Sequence, residues 1–198
     1  VLVTEQTSDD HVTGYRYEIY SSSGRLLAVC VEDISPPSAT ASTREAMRHN
    51  ATDFIDLHDA QGNRWGRLTH RKSTKSVVTV TAMNGFEIGQ VHQENIVGKV
   101  RLSISAQGNP IAQVRAADMR ATQFAINDPR GTQIGRLIKI GSYHNWRPFA
   151  RPSKAAGRYV VDLATRAPEP LATMLATLPI AVDLTMNVDP ALSRSLRR

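Results

Sequence analysis

Apolar residues recur in short period-two runs along most of the chain: Tyr17/Ile19, Ile55/Leu57, Val78/Val80, Leu102/Ile104 and Phe124/Ile126, each alternating with polar neighbours. That periodicity predicts strands with one dry and one wet face. Turn formers follow each pair, as in Ser21-Ser22-Ser23, Asp59-Ala60-Gln61 and Asp128-Pro129-Arg130, and then comes a glycine. Gly24, Gly62, Gly85, Gly108 and Gly131 open five copies of one pattern. Three positions on stands an aliphatic or aromatic residue (Leu27, Trp65, Ile88, Ile111, Ile134), four on a glycine or alanine (Ala28, Gly66, Gly89, Ala112, Gly135), and six on an apolar residue (Cys30, Leu68, Val91, Val114, Leu137). The last four glycines are 23 residues apart. The unit is a β-hairpin, and the small residue inside its returning strand marks a bulge or a close approach of another backbone. In the fourth copy the pair lies one residue nearer the glycine, which predicts a shorter loop or a shifted bulge.

Five hairpins supply ten strands, and Val1 to Thr4 with Arg158 to Leu163 supply two more. An open meander of that size would leave two unpaired edges, so closure is expected. Twelve strands about 4.8 Å apart and tilted by about 40° close at a backbone radius of about 12 Å, too wide for side chains alone to fill. A helix about 10–12 Å across fits that space. Leu171 to Asn187 provides one, apolar around nearly its whole circumference, with Pro168-Glu169-Pro170 opening it and Pro179 expected to kink or break it. The alternative is a helix lying on one sheet face. The expected fold is therefore mainly β: a closed twelve-stranded antiparallel barrel of repeated hairpins around a buried C-terminal hydrophobic helix.

Composition fits one domain over residues 1–198, with 41 % hydrophobic and 21 % charged residues. Within it, residues 33–50 read as a long loop carrying a short helix over Thr43 to His49, 168–187 as the central helix and 188–198 as a basic tail. Disorder is excluded as the main state. The net charge is +6, and 19 of the 24 cations are arginine, which favours an anionic partner or surface. Cys30 is the single cysteine, so no internal disulfide forms and a reducing compartment is the simpler expectation. Residues 1–10 lack a basic start followed by an apolar block, so a cytoplasmic location is expected, with the positive charge favouring a peripheral place at a membrane. No segment reaches the roughly 20 apolar residues of a membrane-spanning helix.

Catalytic chemistry finds little support. The six histidines, His11, His49, His58, His70, His92 and His144, show no zinc spacing and read as surface or turn residues. Nucleophile-elbow, phosphate-loop and dinucleotide motifs are missing from the sequence. Cys30 falls on an apolar place of the repeat and reads as core. Neither enzyme activity, nor a cofactor, nor a metal is expected. Asp183, inside the apolar helix, either caps backbone groups near the barrel mouth or reports a polar pocket within.

The surface carries more. Arg64, Arg67, His70, Arg71, Lys72 and Lys75 crowd one hairpin and the loop after it, a cationic patch suited to lipid headgroups or nucleic acid. In the loop Gly141 to Gly157, Tyr143, Trp146 and Phe149 alternate with Arg147, Arg151 and Lys154, the mixture that places rings in an interface and cations on phosphates. A second reading has those rings cover the barrel mouth. The candidate ligand-binding residues are thus Arg64, Arg67, Arg71, Lys72, Lys75, Trp146, Arg147, Arg151 and Lys154.

The repeated strand-turn-strand of the form Phe124-Ala-Ile-Asn-Asp-Pro-Arg-Gly-Thr-Gln-Ile-Gly-Arg-Leu137, followed near the C-terminus by Leu-Pro-Ile-Ala-Val-Asp183-Leu, resembles the phospholipid scramblase and LURP-one-related proteins, which share the tubby C-terminal fold. The resemblance spans roughly Tyr15 to Asn187 and implies the same helix-filled barrel. Scramblases carry an acidic calcium-binding segment before the final helix; here Tyr159 to Pro170 holds only Asp162 and Glu169, beside Arg158 and Arg166, so calcium is not expected. The implied role is a non-enzymatic module binding anionic lipid headgroups, such as phosphoinositides, at a membrane surface. A nucleic-acid-binding protein and a purely structural or partner-binding barrel are the alternatives.

Overall fold

A computed structural model describes residues 1–7, 15–33, 52–71, 75–140 and 157–186. Twelve strands follow one another: β1 (Leu2–Thr7), β2 (Arg16–Ser21), β3 (Leu26–Glu32), β4 (Thr52–Asp59), β5 (Arg64–Arg71), β6 (Val77–Ala82), β7 (Glu87–Gln93), β8 (Arg101–Ala106), β9 (Asn109–Ala116), β10 (Gln123–Asn127), β11 (Gln133–Ile140) and β12 (Arg158–Leu163). Each pairs antiparallel with its neighbours in sequence, and β1 closes the ring on β12 through Leu2 opposite Val161 and Thr4 opposite Tyr159. One helix, α1 (Leu171–Met186), follows.

All ten residues of the period-two pairs are buried, as are the five apolar residues six places after the repeat glycines. They line the inside of the ring. Within α1 the nine consecutive residues Thr177 to Thr185 are buried, as are Met174 and Leu175. A helix packed on one sheet face keeps a wet side, so burial around the full circumference places α1 within the barrel. Of the kink or break expected at Pro179, the break does not occur, since α1 is one continuous helix from Leu171 to Met186. Proline removes a single backbone hydrogen bond there, and packing on every side outweighs it. Glu169 receives the backbone N–H and hydroxyl of Thr173 at 3.3 and 2.8 Å, satisfying one free donor of the first turn.

The repeat has a geometric meaning. Its five glycines sit at φ between +76° and +88°, the left-handed region where a Cβ is penalised. In the second copy Asp59 N–H donates to Asn63 O at 2.9 Å and Gly62 N–H to Asp59 O at 3.0 Å, which closes a three-residue loop. The fourth copy has the shorter loop its spacing predicts: Ala106 pairs with Asn109 across Gln107 and Gly108 alone, both at positive φ. Beyond each turn the register slips by one. Ile19 pairs with Ala28 and Tyr20 with Leu26, leaving Leu27 as the extra residue, and Trp65, Ile88, Ile111 and Ile134 are the extra residues of the other copies. The last four turn toward the core, where they pack half-buried. The next position must be small: a Cβ on Gly66, Gly89 or Gly135 would stand 2.6, 2.6 or 2.7 Å from the carbonyl oxygen of Thr81, Ser105 or Asp162 on the adjacent strand.

Up-and-down topology sorts the loops. All five hairpin turns lie on one rim, called here the hairpin rim, together with the start of β1 and the end of β12. The opposite, far rim carries the described loops 75–76, 94–100 and 117–122. The excursion at 33–50 with its short helix, and the tail at 188–198, fall outside the described residues except for Asp33.

Candidate functional site

The cationic patch expected around β5 is distributed over three places. Arg64 opens β5 at the hairpin rim and pairs with Asp56 at 2.9 Å. Arg67, on the outer wall, pairs with Asp56 at 2.7 Å and Asp33 at 2.8 Å, and its guanidinium carbon lies 5.1 Å from the Phe54 ring centroid. Both charges are compensated within the wall. Of the described members of that patch, Arg71 and Lys75 stand exposed at the far rim. Lys72, Trp146, Arg147, Arg151 and Lys154, with Tyr143 and Phe149, lie outside the described residues.

His70 is a correction, since a surface position was expected and the ring is buried. It is in phase with Gly66 and Leu68 on β5, so alternation turns it inward; carrying the parity of the repeat two places further would have found it. Its Nδ1 lies 3.0 Å from Asp53 Oδ2, and its Nε2, like Thr4 Oγ1, is buried and has no hydrogen-bond partner among the described residues.

For Asp183 the second of the two expected readings, a polar pocket within the barrel, is the one the structure bears out. Its carboxylate does not cap backbone groups but is held by side chains inside the barrel: Tyr17 Oη donates at 2.9 Å, Tyr159 Oη donates to the other oxygen, and Lys139 Nζ stands 3.4 Å away and 5.1 Å from the Tyr159 ring centroid. Tyr17, Lys139 and Tyr159 occupy inward positions near the far-rim ends of β2, β11 and β12. Burial, then the Asp183 charge, raises the phenol pKa of Tyr17 and of Tyr159. Cys30 is buried among apolar side chains, as its place in the repeat predicts, and desolvation pushes its thiol up to about 12.

At the far rim the structure assembles a group that the sequence reading passed over. Loops 94–100 and 117–122 lie side by side because β8 and β9 pair between them: Lys99 Nζ donates to Ala117 O at 2.6 Å and Ala116 N–H to Val100 O at 2.9 Å. On the outer wall below, Arg101 stands directly opposite Arg115. Both are exposed, and among the described residues neither has a carboxylate partner; Arg115 donates to Gln113 Oε1 at 2.7 Å. Arg120 adds a further cation, with Glu94 and Asp118 the acids of the two loops.

Each loop is held from within. Asn95 Nδ2 donates to the carbonyls of Val97 and Lys99, and Asn95 Oδ1 accepts from Arg101 N–H, all at 2.8 Å. Asp118 Oδ1 accepts from the backbone of Arg120 at 2.9 Å and of Ala121 at 3.0 Å. Ile96, Val97 and Met119 are left outside, with 51, 85 and 70 % of their surface exposed. Scattered in the sequence, these residues carry no local signal; only pairing of β8 with β9 brings them together.

Among the described residues no three His, Cys, Asp or Glu side chains gather as a metal ion would need, and no helix is long and apolar enough to cross a membrane. No family model, no curated protein and no solved structure matches the chain.

Proposed function

We propose that this protein is a non-enzymatic binding module of the scramblase and LURP-one-related kind, holding anionic lipid headgroups at a membrane surface through the far rim of its barrel. The observation that carries this reading is the Arg101–Arg115 pair. Like charges directly opposite across two strands repel. A phosphate seated between two guanidinium forks replaces that repulsion with charge-assisted hydrogen bonds. Arg71, Lys75, Lys99 and Arg120 place further positive charge along the same rim.

Vesicle flotation tests it. The protein is expected to float with phosphatidylcholine vesicles containing phosphatidylserine or a phosphoinositide and not with phosphatidylcholine alone, and Arg101→Ala with Arg115→Ala should lower recovery several-fold without lowering the melting temperature, which relief of the repulsion should raise slightly. Equal recovery on neutral and anionic vesicles sinks the proposal. So does salt-sensitive binding to duplex DNA or RNA without binding to vesicles, which would favour the nucleic-acid reading.

A further inference from the structure

We infer that loops 94–100 and 117–122 form a wedge whose aliphatic tip enters the acyl boundary of an anionic bilayer. The inference rests on the reading above and adds the mode of contact.

Ile96, Val97 and Met119 are the exposed large apolar residues of the two loops, Arg101 and Arg115 sit on the strands from which the loops spring, and the Lys99 ammonium is drawn onto Ala117 O between them. A bilayer has the same order, with hydrocarbon beneath a layer of phosphates. When the tip leaves water, the guanidinium and ammonium groups come level with the headgroups. A nucleic acid offers phosphates but no apolar phase, so it would leave Val97 in water. The exposure is built in: the Asn95 amide uses its hydrogen bonds to hold the backbone of residues 97, 99 and 101, and the Asp118 carboxylate holds 120 and 121. The tips are therefore presented in a fixed shape, which lowers the ordering cost of insertion.

The hairpin rim supplies the contrast. Met83 and Phe86 are exposed there too, but their turn carries Glu87, the preceding hairpin turn carries Asp59, and Arg64 is already paired with Asp56. The wedge loops carry acids as well, Glu94 and Asp118, but Lys99, Arg101 and Arg115 stand beside them, whereas Arg64 next to the Met83 turn is spent on Asp56, so the barrel should land on its far rim.

The test uses the full chain with Val97→Cys labelled by an environment-sensitive fluorophore, the native Cys30 thiol being buried. Phosphatidylcholine vesicles with and without phosphatidylserine are compared, with spin labels placed on the acyl chains as quenchers. On anionic vesicles the label should shift to shorter wavelength, brighten several-fold and be quenched by the acyl-chain spin labels. The same label at Met83→Cys should stay in water. Val97→Asp should lower flotation by about tenfold, the transfer value of one aliphatic side chain, without changing the melting temperature. Flotation with the Val97→Cys label still in water overturns insertion and leaves headgroup binding standing. Absence of flotation overturns both, and equal insertion into neutral vesicles overturns the part assigned to the cations.

Discussion

Tyr17 of β2 donates a 2.9 Å hydrogen bond to Asp183 of α1, 166 positions later in the chain. With the Tyr159 hydroxyl and the Lys139 amine, it turns a carboxylate in an apolar helix into the polar tie between plug and wall. Unpaired, that charge would oppose insertion of the helix; paired, it sets the depth and rotation at which the helix sits.

Removing Asp183 should therefore cost more than removing either tyrosine hydroxyl. Asp183→Ala leaves two buried hydroxyls and an ammonium without their acceptor and should lower stability by about 3–5 kcal/mol. Tyr17→Phe should cost about 1.5–3 kcal/mol, the value of a hydrogen bond to a charged group. Urea unfolding measures both, and an Asp183→Ala protein as stable as the parent would show the tie to be idle.

Alkaline pH should loosen the same tie. In the unfolded chain a tyrosine ionises near 10.0, whereas in the fold burial and the Asp183 charge hold the protons of Tyr17 and Tyr159 in place well above that. Both phenols thus contribute in full below pH 10, and their contribution falls as pH rises beyond it, because only the unfolded chain releases those protons. Unfolding free energy followed from pH 8 to 11 is expected to decline above about pH 10. The double variant Tyr17→Phe, Tyr159→Phe should show a shallower decline.

Gly89 tests the bulge. A Cβ there would stand 2.6 Å from Ser105 O and 2.8 Å from Met174 Sδ, wedged between the neighbouring strand and α1. Gly89→Ala should destabilise by about 1–3 kcal/mol, as overpacked cores do. A shift in the urea midpoint reports it, and an unshifted midpoint would mean that the helix stands further from β7 than described.

Cys30 should be inert in the folded protein. Its thiol is buried and raised to about 12, so it should not react with a disulfide reagent at pH 8 until the barrel opens. Labelling that keeps pace with global unfolding is the expected result; rapid labelling of native protein would place the residue at the surface.

Much of the architecture was legible in the chain because it rests on local rules. Alternation named the inward residues of ten strands, the glycine spacing located the turns and bulges, and the continuous apolar circumference of Leu171 to Met186 marked the plug. The site was less legible. Arg64 and Arg67 read as free cations because Asp56, eight and eleven residues before them, meets them only across a strand pair. His70 read as surface because a lone histidine has no pattern of its own.

The sequence alone settled the hairpin as the unit, its count and the face each strand buries, since alternation and turn chemistry act between residues a few places apart. Tertiary structure decided where charge and apolar surface remain unanswered. Arg101 faces Arg115 and Lys99 reaches Ala117 through register between strands, and Asp183 meets Tyr17 only after the ring has closed around the helix. The first two follow from the register of one hairpin, fixed by its turn and bulge, and the third is a property of the closed barrel alone.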